Sequence, residues 1–132
     1  MGAWRKSIMV GITNSAIDPS TPMKTSSAAL AGSVVTYVGR VRAEEGASGL
    51  SIEANVEQAT KSLKSIRDDA VRRFGLSCAH VVHRVGEVSV GDVVLLVAAG
   101  APERNVAFEA CEYIVNAVKE EKIVRKQPLL AA

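Results

Sequence analysis

The sequence predicts an α+β sandwich, and three observations predict it. Two stretches, residues 56–74 and the one following Pro102, repeat apolar residues at steps of three and four, the period of a helix packed on one side. The remaining apolar runs are short and β-branched. They do not alternate regularly with the helices, so the order reads β, β, β, α, β, β, α. Finally, 132 residues with 48% hydrophobic and 23% charged composition make one domain able to bury a core of its own.

The apolar run at 8–12 reads as a first strand. Residues 14–27, with Pro19, Pro22 and several Ser and Thr, form a loop-like stretch, and residues 28–32 are expected to add a helical turn. Ser33-Val34-Val35-Thr36-Tyr37-Val38 is β-branched and strand-like, with Gly39 as its stop. Residues 40–49, charged and then glycine-rich, read as a mobile loop, and 50–54 as a short strand. Val56, Ala59, Leu63, Ile66, Ala70 and Phe74 form the stripe of the first helix, which Gly75 ends. Strands are expected at 80–88 and 92–99, turning near Ser89-Val90-Gly91-Asp92. The second of these, Val93-Val94-Leu95-Leu96-Val97, is apolar throughout and requires cover on both faces.

Pro102 is expected to open the second helix, with Glu103 in its first turn favourable to the helix dipole. Two stripes run along it: Ala107, Ala110, Ile114 and Ala117, and beside them Phe108, Cys111, Val115 and Val118. A helix this apolar around its girth is sandwiched, inside the domain or against another subunit. The whole chain, 1–132, reads as a single domain, with 1–7 flexible and 127–132 a C-terminal tail.

Sixteen basic against 14 acidic residues leave +2, which argues against a dedicated nucleic-acid binder and a polybasic membrane module. The N-terminus carries neither the apolar run of a signal peptide nor a spanning segment. Two cysteines, Cys78 and Cys111, fit a reducing compartment, so the expected location is the cytoplasm. Cys78-Ala79-His80-Val81-Val82-His83 invites a metal reading, but on a strand Cys78 and His80 share a face that His83 does not. A closed zinc site needs four convergent ligands, so no metal is expected. No P-loop, dinucleotide glycine fingerprint or Ser-His-Asp signature is present.

Local charge is more informative than the total. Lys119-Glu120-Glu121-Lys122-Ile123-Val124-Arg125-Lys126 holds four cations, and continued helix would place Lys119 and Lys126 on one face roughly 10 Å apart. Arg40 and Arg42 follow a strand, and Arg104 stands at a helix N-terminus. Converged on one pocket, these cations suit a phosphate or carboxylate; otherwise each is a solvated surface charge. A lysine in such a cluster serves proton transfer or nucleophilic attack.

Gly32-Ser33-Val34-Val35-Thr36-Tyr37-Val38-Gly39-Arg40-Val41-Arg42 resembles the strand-and-loop motif of the large, catalytic subunit of molybdopterin synthase, the MoaE family. His83-Arg84-Val85-Gly86-Glu87-Val88 with Val90-Gly91-Asp92 resembles its most recognisable internal motif. Arg104, the run Ala107-Phe108-Glu109-Ala110-Cys111, then Lys119 and Lys126 continue the match in order.

The resemblance implies an α/β hammerhead-type α+β fold with a small additional antiparallel β subdomain, and a homodimer of large subunits. It also implies a small ubiquitin-like sulfur-carrier partner of the MoaD type, whose C-terminal Gly-Gly bears a thiocarboxylate and threads into the large subunit. Two sulfur transfers would convert cyclic pyranopterin monophosphate into the dithiolene of molybdopterin, with no cofactor of the subunit's own. By position, Lys119 matches the key active-site lysine and Lys126 the second basic catalytic position. Arg42 and Arg104 match substrate-binding arginines, with Arg40 beside them, and Lys126 would share the substrate phosphate.

The chain departs from the family pattern at several places. Glu103 stands where His usually precedes the arginine, Glu53-Ala54-Asn55-Val56 lacks a tyrosine, and Ile123-Val124-Arg125-Lys126 lacks the typical Pro and Trp. The chain also ends six residues after Lys126. These departures bear on substrate binding more than on fold, and they motivate an alternative: a non-catalytic partner-binding or regulatory paralogue.

Overall fold

The computed structural model describes residues 9–24 and 31–130. Seven strands and two α-helices appear in it, arranged as two sheets. Strands β1 (Val10–Thr13), β4 (Cys78–Arg84), β6 (Val93–Ala101) and β2 (Ser33–Arg40) form a four-stranded sheet in that order. β1 runs parallel to β4, and the other neighbours are antiparallel. Strands β5 (Gly86–Ser89), β3 (Ala47–Glu53) and β7 (Arg125–Leu130) form a small antiparallel sheet, again in that order. The helices are α1 (Val56–Phe74) and α2 (Arg104–Glu120). Mixed elements in two sheets bear out the α+β reading, and the small sheet is an additional antiparallel unit.

The register explains which side the helices cover. Val81 lies opposite Val97 and Val10, His83 opposite Leu95 and Ile12, and Tyr37 opposite Val97, so these residues share one face. Against that face pack Leu63, Ile66 and Ala70 of α1 and Ala107, Ala110, Ile114 and Val118 of α2. The opposite face is also buried at Leu96, Ala98 and His80, as the apolar run of β6 requires. A second small core of Val41, Ile52, Val88 and Val94 joins the small sheet to the end of the large one.

Local chemistry sets the helix ends. Asn55 caps α1 by accepting a hydrogen bond from the backbone N–H of Gln58 at 3.1 Å, and Gly75 closes it with φ 63°. The two helices are tied by a hydrogen bond from the Tyr113 hydroxyl to the Asp69 carboxylate and by an edge-to-face Phe74–Tyr113 contact with ring centroids 5.5 Å apart.

Several sequence expectations are corrected. α2 begins at Arg104, with Glu103 as its cap residue, so Pro102 lies before the helix rather than in its first turn. The helix does not continue toward Lys126: it ends at Glu120, Lys122 turns into the left-handed region at φ 50°, and residues 125–130 form β7. Most of the expected tail 127–132 is therefore strand. The expected strand at 80–88 is two strands in different sheets, divided at Val85 and Gly86, the latter with φ 100°. β2 continues past Gly39 through Arg40, and the expected 40–49 loop contracts because β3 begins at Ala47. Residues 1–7, and 28–30 of the expected helical turn, lie outside the described residues; Ala31 and Gly32 form a bend.

Candidate active site

Two clefts meet at Lys126. The first, of about 340 Å³, lies where the C-terminal end of α2 passes over the large sheet toward β7. Its walls carry Lys119, Lys122, Arg125 and Lys126 as cations, His83 and Leu95 from the sheet, and apolar Val118. The second, of about 260 Å³, is lined by Arg40, Arg42, Glu44 and Lys126 with the backbone of the small sheet. Lys126 reaches both because β7 pairs with β3, which sets Lys126 opposite Ile52.

The structure thus brings four of the five candidate residues to one region. Lys119 and Lys126 share the first cleft, and Arg40 and Arg42 adjoin Lys126 in the second. Arg104 is not among them. It opens α2 while Lys119 nearly closes it, and fifteen residues at 1.5 Å rise separate them by about 22 Å along the axis.

Each side chain is placed by identifiable contacts. The Lys119 ammonium stands over the Tyr37 ring, 5.5 Å from its centroid, a cation–π contact that fixes its direction. Gly39 makes room for that ring: a Cβ there would lie 3.2 Å from Tyr37 Cε2 and 3.3 Å from its hydroxyl oxygen. Arg40 donates from Nε to the carbonyl of Gly91 at 2.8 Å, so part of its fork is committed to the β5–β6 turn. The same turn is held by Asp92, which accepts from the backbone N–H of Ser89 at 2.9 Å and pairs with Arg84 at 3.7 Å. The internal motif around His83 and Asp92 is therefore largely a device for turning the chain from one sheet to the other.

Tyr37 and His83 adjoin the site, although sequence reasoning did not assign them there, and Lys122 of the C-terminal cationic cluster lines it as well. Tyr37 reads in sequence as a strand aromatic within the first family motif, and His83 draws attention as a metal ligand and as the start of the internal motif, neither as a cleft residue. His83 is 4% exposed, its Nδ1 lies 2.9 Å from the carbonyl oxygen of Arg84, and burial holds its pKa below the usual imidazole range. The cysteines offer no competing nucleophile. Both are buried, desolvation raises the Cys78 pKa, and that of Cys111 is pushed up to about 11. The site is a cationic cleft suited to a ligand that carries negative charge.

Comparison with known proteins identifies the family. The sequence is 40% identical over 89 residues to the molybdopterin synthase catalytic subunit of Caulobacter vibrioides, covering 67% of this chain and 59% of that one. It is 39% identical over 99 residues to the subunit of the same name from Pyrococcus abyssi, covering 73% and 67%. The chain thus spans about three-fifths to two-thirds of the length of these relatives. The crystal structure of molybdopterin synthase from Staphylococcus aureus superposes with a TM-score of 0.83 at 25% identity, covering 92% of this chain and 91% of that one. The fold also matches, at 21% identity and TM-score 0.73, a chain of a complex of subunits 1 and 2 of molybdopterin-converting factor from Helicobacter pylori, with coverage of 92% and 89%. With the family model for MoaE protein matching residues 12–121, the chain belongs to the MoaE family.

Proposed function

We propose that this chain is the large, catalytic subunit of a cytoplasmic molybdopterin synthase. In this reading a small ubiquitin-like carrier inserts its thiocarboxylated Gly-Gly terminus, and sulfur passes to cyclic pyranopterin monophosphate to build the dithiolene. The observation that carries the reading is the shared cleft of Lys119 and Lys126, continuous through Lys126 with Arg40 and Arg42.

The roles follow from placement. A flexible C-terminus carrying a thiocarboxylate is anionic, and a cleft walled by lysines attracts it. Lys119, seated over Tyr37, lies where an ammonium can donate to the carbonyl of the incoming group and move a proton as sulfur departs. Lys126, with Arg42 and the free part of the Arg40 fork, provides point and bidentate donors for a phosphate.

Glu103 favours a second reading. It caps α2 without a side-chain hydrogen bond and sets negative charge beside Arg104, the arginine that the family resemblance assigns to substrate. A binding subunit that captures the carrier without transferring sulfur would tolerate it.

Supplying the thiocarboxylated carrier and the cyclic pterin and measuring dithiolene formation separates the two. Turnover is expected from the wild type and none from Lys119→Ala, with fold and assembly intact by circular dichroism and sedimentation. Capture of the carrier with no product from the wild type would sink the enzyme reading and leave the binding one.

A further inference from the structure

The first cleft contains four cations and, among its lining side chains, one hydrogen-bond acceptor with a lone pair in the ring plane: His83. No carboxylate lines it; Arg125 finds its own partner outside, Glu53, at 3.3 Å. His83 reaches this position because β4 alternation puts it on the helix-covered face with Ala79 and Val81. There it lies at the end of the sheet where α2 stops and β7 begins. Its neighbours in register, Ile12 on β1 and Leu95 on β6, carry no charge. The charged groups around it come from the end of α2 and from the segment beyond, namely Lys119, Lys122, Arg125 and Lys126.

The ring's two nitrogens are not equivalent. An acceptor carbonyl at Nδ1 requires that nitrogen to carry the hydrogen, so Nδ1–H donates to the carbonyl of Arg84 at 2.9 Å. In the neutral ring Nε2 is then a bare lone pair. It makes no hydrogen bond to the described residues, although the side chain is nearly enclosed. A lone pair so placed, in a wall otherwise made of ammonium and guanidinium groups, is a seat for an N–H donor.

We propose that His83 is a positioning residue of this cleft, its Nε2 accepting a hydrogen bond from the ammonium of Lys126 and so fixing that lysine between the two clefts. A second cation in the place of the neutral ring would repel Lys126, so the seat exists only while His83 is unprotonated. Burial acts in that direction first and the nearby charge of Lys126 adds to it, together outweighing the bond to the Arg84 carbonyl, which favours the charged ring. Lys126 thereby enters the reaction already aimed, rather than losing side-chain entropy as ligand binds.

The test has two arms, and only the second rests on the sulfur-transfer reading. In the first, long-range proton–nitrogen NMR correlations of the histidine rings are recorded on the wild type and on Lys126→Met. At neutral pH, His83 is expected to be neutral, with hydrogen on Nδ1 and none on Nε2. In Lys126→Met its Nε2 resonance is expected to shift and its titration midpoint to rise. Hydrogen on Nε2 in the wild type, or an Nε2 resonance and midpoint that ignore the substitution, would overturn the proposal whatever the protein's activity.

The second arm compares His83→Asn with His83→Gln. The Asn amide can keep the bond to the Arg84 carbonyl but places nothing at Nε2; the Gln amide can put an oxygen there. His83→Asn is expected to lose on the order of tenfold in kcat, the scale on which supporting partners act, with KM little changed. His83→Gln is expected to retain most of the rate and to lack the acid limb that His83 protonation gives the wild type. Equal losses in both variants, tracking their melting temperatures, would mean that the ring only fills space. Should both variants fail to fold, the first arm still decides.

Discussion

His80 has no solvent exposure, and its Nδ1 accepts a hydrogen bond from the backbone N–H of Met9 at 3.1 Å, while Nε2 has no partner among the described residues. Desolvation first, and the charge of Arg67 second, hold its pKa below the usual 6.5. His83 is displaced in the same direction, by burial first. For both, the unfolded chain binds protons that the folded chain refuses, so stability is full above about pH 6.5 and falls as pH drops through and below it. Protonating His80 also puts a hydrogen where the Met9 N–H points, removing the bond that starts the pairing of β1. His80→Asn keeps an acceptor near the Nδ1 position and cannot titrate. Its urea-unfolding free energy is expected to decline less steeply than that of the wild type between about pH 6.5 and 5, above the range where carboxylates dominate. Parallel declines would show that His80 is not the sensor. The sequence exposed this residue only as half of a Cys-x-His pattern. Its isolation depends on the strand being covered on both faces, which periodicity suggested for β6 but could not assign atom by atom.

The elements differ sharply in how much of them the chain itself declares. α1 was readable throughout because its stripe, its Gly75 stop and its burial all follow one period. β7 was not readable. Arg125-Lys126-Gln127-Pro128 has low strand propensity, and it becomes a strand only by pairing with β3, at a sheet edge where Pro128 removes no needed donor. That pairing is what moves Lys126 off the helix and into the site, so the most consequential error in the sequence reading came from a tertiary contact. The small sheet has its own tight point. A Cβ on Gly49 would lie 1.9 Å from the carbonyl oxygen of Val88, which is backbone and cannot swing aside. Gly49→Ala is therefore expected to push β5 from β3 and cost about 2–3 kcal/mol, the upper range of overpacking. Amide exchange should accelerate in β3, β5 and β7 while the amides of α1 keep their protection. A stability within error of the wild type would mean that the sheet yields there without loss.

Across the whole molecule, the candidate site is complete except for Arg104, and the length of α2 says why. Helical rise alone puts Arg104 and Lys119 about 22 Å apart, an inference the sequence already licensed once α2 was recognised. A second copy would resolve the distance. α2 exposes Phe108, 62% accessible, and with it Glu112 and Asn116 at successive steps of four, beside Tyr37 and Val35 of β2. A twofold axis through this face near Glu112, the midpoint of Arg104–Glu120, would lay two copies of α2 antiparallel and bring Arg104 of each beside Lys119 of the other. In the proposed synthase each site would then take its lysines from one subunit and its outer arginine from the next. Lys119→Ala and Arg104→Ala, each inactive alone, are expected to restore activity when unfolded together and refolded as a mixture. Half of the dimers would be mixed, each with one intact site of two, so the recovery should approach roughly one quarter of the wild-type rate. Placing Phe108→Asp in both chains should abolish that recovery and leave monomers by sedimentation, because the contact would lose its large apolar side chain and gain a carboxylate about one turn from the Glu112 carboxylates at the axis. If the mixture shows only the sum of its parts while dimers persist, Arg104 serves no site across the interface.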